Sequence, residues 1–347
     1  MTLPLVLDQS LEELRAWFVD CGEPPFRSRQ LWTHLYRTLT TDPSALSDLP
    51  LPTRHQLSEA FAFASLTPAA ARQSSDGKTT KILYRLHDGK AIETVLIRYD
   101  RPRTLCISSQ AGCAMGCSFC ATGQMGFVRN LTAGEIIEQV LNGARQLRGE
   151  GSQLTNIVVM GMGEPFHNYE ATMQALDRLN DAAGFAFGAR RMTVSTVGLV
   201  PMIERFTAEA RQVNLAISLH AATNELRDQL LPVNRRYPLE VLLPACREYV
   251  RRTRRRISFE WALIEGVNDG LEQAQALVRL LGRLTCHVNL IPLNPTEGYR
   301  GSASPKAAAS AFVRCLEEAG IPATLRQRRG IEIQAGCGQL AQPATQH

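Results

Sequence analysis

Three cysteines in one short segment have the spacing of iron–sulfur ligands: Cys113, Cys117 and Cys120 form a Cys-x3-Cys-x2-Cys arrangement. A 4Fe-4S cluster takes four ligands, so three thiolates leave one iron open. That iron can bind the amino and carboxylate groups of S-adenosylmethionine, and one-electron reduction then cleaves the sulfonium to a 5′-deoxyadenosyl radical. The alternative is half of a zinc site, because Cys117 and Cys120 alone would suit a zinc ribbon. No second cysteine or histidine pair of suitable spacing follows, which favours the cluster.

A second cofactor signal is the segment Gly161-Met-Gly163-Glu164-Pro165. Gly163 allows the backbone to approach a ligand closely, and Glu164 can accept hydrogen bonds from an ammonium group such as that of a methionine moiety. The segment is not a dinucleotide fingerprint, because Phe166 stands at the third glycine position. A tight turn is the alternative interpretation.

Three further segments place polar groups where strands are predicted to end. Each residue alone is typical of an ordinary loop, but several such ends that converge on one site favour contacts to adenosine and ribose. The candidate contacts are Ser195 in VSTVG, Ser218, Leu219 and His220 in AISLH, and Asn294 in IPLNP.

The elements that must position these residues alternate between strand and helix from about residue 102 onward. This alternation predicts a parallel α/β sheet, either doubly wound or a full or partial barrel, with ligands at the carboxyl ends of the strands. Thr132 and Glu135 form a capping box that opens the first helix. The predicted strands are Thr104–Ser108, Asn156–Met160, Met192–Ser195, Val213–Ser218, Ile257–Leu263 and His287–Ile291.

Two smaller regions precede this core, which we place at 102–347. Residues 1–65 are predicted to form helices, and a capping box of Ser10 and Glu13 begins the first of them. Residues 66–101 contain two hairpin-turn signals, Asp-Gly pairs at 76–77 and 88–89, and predict a small antiparallel β-element. Glu93 shares a face of its alternating strand with apolar neighbours, where burial would raise its pKa and suit it to proton transfer. A surface carboxylate is the equally weighted alternative.

Composition excludes disordered, fibrous and membrane-spanning classes, because 44% of the 347 residues are hydrophobic and 20% are charged. The first residues contain no basic segment followed by an apolar one, and no apolar run is long enough to span a bilayer. We therefore expect a cytoplasmic protein with free thiols rather than disulfides. The net charge is +5, and its arginine runs favour a polyanionic partner. These runs are Arg235–Arg236, Arg251–Arg252 with Arg254–Arg256, and Arg326 with Arg328–Arg329.

Taken together, the motifs resemble the radical S-adenosylmethionine RNA methyltransferases of the RlmN/Cfr type. The resemblance covers nearly the whole chain and rests on TLCISSQAGCAMGCSFCATG, VVMGMGEP, STVG, ISLHA, LIPLNP and QAGCGQL. It implies a partial (β/α)6-type radical-SAM barrel with a small N-terminal helical accessory domain that binds RNA. By the same resemblance, Cys337 is the residue that becomes S-methylated, Cys106 later forms a disulfide with it, and Glu93 is the proton acceptor. We interpret the four remaining cysteines as small apolar residues: Cys21, Cys246, Cys286 and Cys315.

The implied reaction is methylation of adenine at carbon 2. That carbon is a poor nucleophile, so direct transfer from the electrophilic methyl of S-adenosylmethionine fails and a radical route is needed. One S-adenosylmethionine would methylate Cys337 and a second would supply the radical. The implied substrates are 23S rRNA in the peptidyl transferase region and the adenosine just 3′ of some tRNA anticodons, with flavodoxin or ferredoxin as electron donor. Methylation at adenine carbon 8 is the nearest alternative, and a zinc-stabilised RNA-binding protein without catalysis is the alternative from another class.

Overall fold

Ten strands form one continuous sheet in the computed structural model, which describes residues 3–341. The sheet begins with three antiparallel strands, β1 (Leu66–Gln73), β2 (Thr79–Leu86) and β3 (Ala91–Arg98). β3 also pairs antiparallel with β4 (Arg103–Ile107). From β4 all neighbours run parallel, in the order β7 (Asn156–Val159), β8 (Met192–Thr196), β9 (Asn214–Ser218), β10 (Ile257–Leu263), β11 (Cys286–Pro292) and β12 (Ala323–Leu325). A separate pair, β5 (Gln110–Gly112) and β6 (Phe127–Asn130), follows β4 in the chain.

The predicted parallel α/β class is confirmed, and the six predicted core strands are each found within one residue at either end. The sheet does not close, since β1 and β12 lie at its two edges, and this agrees with a partial barrel. Four strands were not predicted. β5, β6 and β12 are only three or four residues long, and β1 contains Pro68 and several alanines, which have low strand propensity.

Eleven α-helices accompany the sheet within the described residues. Both predicted capping boxes are present. Ser10 Oγ accepts from Glu13 N at 3.1 Å while Glu13 accepts from Ser10 N at 2.6 Å, and Thr132 and Glu135 repeat the arrangement. The helices are α1 (Leu11–Asp20), α2 (Arg27–Thr33), α3 (Leu51–Ala60), α4 (Ala121–Gln124), α5 (Ala133–Gly149), α6 (Tyr169–Asn180), α7 (Val200–Ala208), α8 (Asn224–Leu230), α9 (Leu239–Thr253), α10 (Leu271–Leu281) and α11 (Lys306–Glu318).

The two faces of the parallel sheet differ in polarity because side chains alternate along each strand. One face is apolar, fully buried and packed within the main hydrophobic core; it includes Leu105, Ile157, Val194, Ile217, Phe259 and Val288. In-register pairing places polar residues on the other face, among them Cys106, Ser195, Ser218, Glu260 and Asn289. The predicted site residues on the strands therefore share one face.

The N-terminal helical region is anchored to α5 and α6. Trp32 Nε1 donates to Asp181 Oδ2 at 2.9 Å, and Arg178 donates to the carbonyl of Asp8 at 2.9 Å. The division at residues 65 and 101 remains a prediction, and the outer limits 1 and 347 lie outside the described residues. No helix in residues 3–341 is long and apolar enough to cross a membrane.

Candidate active site

The three motif cysteines lie in the loop between β5 and α4, just beyond the carboxyl end of β4. Cys113 and Cys117 are buried and Cys120 is half-buried. Backbone hydrogen bonds fix the loop, from Cys113 N to Gly126 O at 2.9 Å and from Cys120 N to Cys117 O at 3.2 Å. Gly112 has φ +72°, and a Cβ there would stand 2.0 Å from the Gly126 carbonyl oxygen, so the close approach requires glycine.

The chemistry of these thiols fits a multi-iron cluster. Burial raises the pKa of Cys113 to about 12 and that of Cys117 well above its usual value, and the neighbouring motif cysteines add to both shifts. Such thiols become thiolates only with a strong positive charge beside them, as iron supplies. No group of three or more His, Cys, Asp or Glu side chains in residues 3–341 is arranged to hold a single metal ion. The ligands of a cubane bind different irons and stand farther apart.

Glu164 follows β7 and lies beside this loop. Its carboxylate accepts hydrogen bonds from the backbone nitrogens of Phe166 at 3.0 Å and Val197 at 2.9 Å. Gly163 has φ +100°, and a Cβ there would stand 2.5 Å from the Gln110 side chain. Glu164 is buried and forms no ion pair with any described Lys or Arg, and burial raises its pKa to about 7. A buried carboxylate without a cation suits an ammonium ligand.

Glu164→Gln is expected to remove a pH-dependent loss of stability, roughly 3 kcal/mol between pH 4.5 and pH 8, from the metal-free protein. The pKa of about 7 in the folded protein lies above the ordinary 4.5, so ionisation destabilises the fold. This destabilisation is complete above pH 7 and vanishes only below pH 4.5, where Glu164 is protonated in both states. Urea unfolding at pH 5 and pH 8 measures how the stability of each protein changes with pH. Glu265→Gln, at an exposed carboxylate, is the control. The same change in stability between pH 5 and pH 8 for wild type and Glu164→Gln would contradict the expectation.

The remaining predicted cofactor contacts lie at the carboxyl ends of β8, β9 and β11. Ser195 Oγ and Ser218 Oγ are 3.4 Å apart. The Leu219 side chain is fully buried, and its main-chain N and O are both bonded within the protein. His220 Nδ1 accepts from Ala262 N at 2.8 Å, and burial lowers the pKa of His220 to about 3, so the ring is neutral. The structure thus leaves Nε2 as the free ring nitrogen of His220.

Asn294 connects the β11 end to the loop that carries Cys337. Its Nδ2 donates to the Cys337 carbonyl at 3.0 Å, while its buried Oδ1 has no partner among the described residues. The same loop reaches the cysteine motif, because Ala121 N donates to Gly338 O at 2.8 Å. The Cys337 side chain is exposed to solvent. Even so, the protein around its thiol withdraws it from water and raises its pKa, and the negative charge of Glu260 raises that pKa further.

Cys106 and Glu93 lie on the neighbouring strands β4 and β3, and their side chains are on the same face of the sheet. Val95, two residues after Glu93, pairs directly with Cys106. Burial raises the pKa of Cys106 to about 12, and the charge of nearby Cys337 adds to this shift. All nine cysteines lie in the described part of the chain and all are free, so the disulfide expected for Cys106 is not formed in this structure.

Glu93 is buried and held from two sides. Lys81 Nζ, on β2, lies 2.9 Å from Glu93 Oε1, and the backbone nitrogen of Ala341 donates to Oε2 at 2.9 Å. Burial raises the pKa of Glu93, and the Lys81 ammonium opposes the shift. The alternative of a surface carboxylate is wrong, since Glu93 is only 1% exposed.

Four residues that surround these groups were not predicted. Gln110 accepts from Glu164 N at 2.8 Å, and Lys81 pairs with Glu93. Arg227, fully buried, donates to the carbonyl of Val197 at 2.6 Å. Lys81 and Glu260 are charged residues within largely apolar strands, so the sequence contained a signal that could have identified both. Nothing in the segment NELRDQL distinguishes Arg227 from a surface arginine.

Comparisons with known proteins identify chains of similar sequence and fold. Residues 107–281 match the family model of the radical SAM superfamily, and residues 6–62 match the ribosomal RNA large subunit methyltransferase N-terminal domain. The chain is 52% identical to dual-specificity RNA methyltransferase RlmN 1 of Myxococcus xanthus, over 92% of this chain and 89% of that protein. It is 49% identical to a probable dual-specificity RNA methyltransferase RlmN of Chloroflexus aurantiacus, over 96% and 92%. A crystal structure of a radical SAM methyltransferase from Sphaerobacter thermophilus is 50% identical and superposes with a TM-score of 0.95, over 97% of this chain and 99% of that chain.

Proposed function

The chain belongs to the RlmN family of radical SAM RNA methyltransferases, and we propose that it methylates carbon 2 of adenosine through an S-methylated Cys337. Membership of an enzyme family sets aside the alternative of a non-catalytic zinc protein. The proposed substrates are 23S rRNA in the peptidyl transferase region and the adenosine 3′ of some tRNA anticodons. The dual specificity named for the relatives supports two classes of RNA.

One observation carries the proposal: the Cys337 loop joins the two halves of the site. On one side Gly338 O accepts from Ala121 N, directly after the motif cysteines. On the other side Ala341 N donates to Glu93 Oε2, and Cys106 lies near enough to Cys337 for their charges to interact. These contacts support the proposed roles of Cys337 as methyl carrier, Cys106 as resolving thiol and Glu93 as proton acceptor beside the proposed cluster.

Cys113, Cys117 and Cys120 would hold the 4Fe-4S cluster, and Glu164 would bind the ammonium of S-adenosylmethionine. When bound, the cluster would supply the one-electron reduction of a second S-adenosylmethionine, the source of the radical that activates a methyl on Cys337. Ser195, Ser218, Leu219, His220 and Asn294 are the proposed contacts to the nucleoside. The structure supports this role for Asn294, because its buried Oδ1 has no partner within residues 3–341 while its Nδ2 holds the Cys337 loop.

Cys337 first takes a methyl by displacement from S-adenosylmethionine, which requires its thiolate. After the carbon of that methyl has joined the adenine ring, Glu93 accepts the proton lost from carbon 2, and the unpaired electron left on the ring passes to a one-electron carrier of the flavodoxin or ferredoxin type. Cys106 then attacks the Cys337 sulfur. The new sulfur–sulfur bond forms as the carbon–sulfur bond breaks, the carbon keeps that electron pair and takes a proton, and a thiol reductant later restores both cysteines.

The remaining proposals concern partners and location. The N-terminal helices and the arginine runs would hold the RNA while the target base leaves its stack. A low-potential donor of the flavodoxin or ferredoxin type would deliver the electron. Working on ribosomal and transfer RNA, the protein would act in the cytoplasm.

The decisive experiment compares RNA from cells that lack and cells that express this chain, by nuclease digestion and mass spectrometry. We expect 2-methyladenosine in ribosomal RNA, and in transfer RNA beside the anticodon, only when the chain is present. 8-Methyladenosine in its place would establish the carbon 8 alternative. Absence of any new methyladenosine with an intact cluster would refute the proposal.

Lys81→Met should move the acid limb of the pH–rate profile for RNA methylation to higher pH. The Lys81 ammonium is the strongest influence that lowers the pKa of Glu93 against the effect of burial. Without it the pKa of Glu93 rises, so the ionised carboxylate forms only at higher pH. Lys81→Arg, which keeps the charge, is the matched control. Glu93→Gln should lower the rate by about 10²- to 10⁴-fold at every pH. An unchanged profile in Lys81→Met would show that the ion pair has no part in the reaction.

A further inference from the structure

A polar cavity of about 700 Å³ lies at the amino-terminal ends of β8, β9 and β10, at the opposite end of these strands from the candidate active site. One polar residue from each strand lines it, Thr193, Asn214 and Ser258. No carboxylate and no aromatic ring belongs to the lining. Four arginines complete it: Arg190, Arg254, Arg255 and Arg256.

The positive charge of this cavity is not neutralised by the protein. Gln212 Oε1 accepts from Arg190 Nη2 and from Arg255 Nη1, both at 3.2 Å, and Asn214 Oδ1 accepts from Arg255 Nη2 at 2.6 Å. These amides orient the guanidinium groups but carry no charge. Within residues 3–341 none of the four arginines pairs with a carboxylate, and Arg255 Nε is buried without a partner.

The first two arginines of the same run, Arg251 and Arg252, do not line the cavity. Arg251 pairs with Glu248 at 2.6 Å on the exposed surface of α9, and Arg252 lies outside the cavity. The chain leaves α9 through Arg254, which adopts a left-handed φ of 56°, and the three arginines that follow the helix then line the cavity. Arg190 comes from a distant segment before β8. The cavity is therefore a product of the fold and not of one charged run.

Four uncompensated guanidinium groups in one cavity repel one another, and an anion removes that repulsion. Planar guanidinium forks match phosphate oxygens, so phosphate is the anion that this donor set favours. A nucleotide site would also require an apolar or aromatic wall for the base, and the cavity has none. The chemistry indicates recognition of phosphate without recognition of a base.

We propose that this cavity binds a backbone phosphate of the RNA substrate at a point remote from the target adenosine. The inference rests on the proposed function insofar as RNA is the substrate. At about 3.3 Å per residue, strands of this length separate the cavity from the candidate active site by about 13 Å. The phosphate therefore belongs to another nucleotide than the target, and the contact holds RNA of either class without reading its sequence.

Arg190→Glu and Arg256→Glu test the proposal through RNA affinity, measured by fluorescence anisotropy with a tRNA anticodon stem-loop. Each change should weaken binding about 10-fold and make the dependence of log K on log salt shallower by about 0.7 to 0.9. Arg314→Glu changes the charge equally, at an exposed arginine on α11 that lies outside the cavity and outside the three arginine runs, and should leave affinity within about twofold. Melting temperatures verify folding. Arg190→Gln and Arg256→Gln replace any variant that does not fold.

Equal losses of affinity in Arg314→Glu and in the cavity variants would reduce the effect to net charge and overturn the proposal. Unchanged affinity and salt dependence in Arg190→Glu and Arg256→Glu would do the same. Calorimetry with inorganic pyrophosphate separates the sources of phosphate: pyrophosphate binding that Arg190→Glu abolishes, with RNA affinity intact, would assign the cavity to a small anion. RNA affinity is measured without turnover, so a failure to methylate RNA would refute the proposed function independently of this result.

Discussion

Cys106→Ala enzyme is expected to accumulate covalently joined to its RNA. Cys337 would still accept its methyl and add to the adenine ring, because its loop is held by Asn294 and Ala121, which the change leaves in place. Only the thiol that cleaves the carbon–sulfur bond is missing. Multiple-turnover methylation should fall to background, with one RNA retained per enzyme. Denaturing electrophoresis with and without nuclease detects the linked species.

The double variant Cys106→Ala with Cys337→Ala is the control for the covalent enzyme–RNA species and should show no linked RNA. Residues that act in sequence on one intermediate give such non-additive results. Cys315→Ala, at a half-buried cysteine on α11, should turn over normally. If Cys106→Ala turns over at the wild-type rate, or is inactive without any linked RNA, Cys106 is a structural thiol and release by disulfide formation is wrong.

Cys117→Ala should remove the cluster and with it all radical chemistry. Two thiolates cannot retain a four-iron cubane, and the segment 113–120 contains no cysteine besides the three of the motif and no histidine, aspartate or glutamate. Iron content after anaerobic reconstitution, visible absorbance and reductive cleavage of S-adenosylmethionine should all fall to background. The same outcome is expected for Cys113→Ala and Cys120→Ala.

Cys286→Ala is the matched control, because Cys286 is also buried but lies on β11, outside the motif. Its loss should cost about 1 kcal/mol of stability and no iron. Full iron content and normal cleavage in Cys117→Ala would refute the assignment of the motif. Zinc in place of iron in the reconstituted wild type would do so as well.

Much of the architecture was predictable because its signals are local. Each core strand is a short apolar run bounded by turns, so all six were located within one residue. Both capping boxes depend on residues three positions apart and were read correctly. β1 was missed because its pairing with β2, and not its own composition, stabilises it.

By itself, the sequence determined the cluster motif, since Cys113, Cys117 and Cys120 lie in one loop whose covalent length keeps them together. Its pattern left Glu93 equally open to burial and to exposure, and the structure decided for burial because both faces of β3 are covered at this position. Only the tertiary structure decided which distant groups meet. Ala341 reaches Glu93 across 248 residues, and Arg190 shares a cavity with Arg256. Such contacts depend on strand order, register and the path of the C-terminal segment over the open sheet. No periodicity in the chain encodes these, because they result from the packing of the whole molecule.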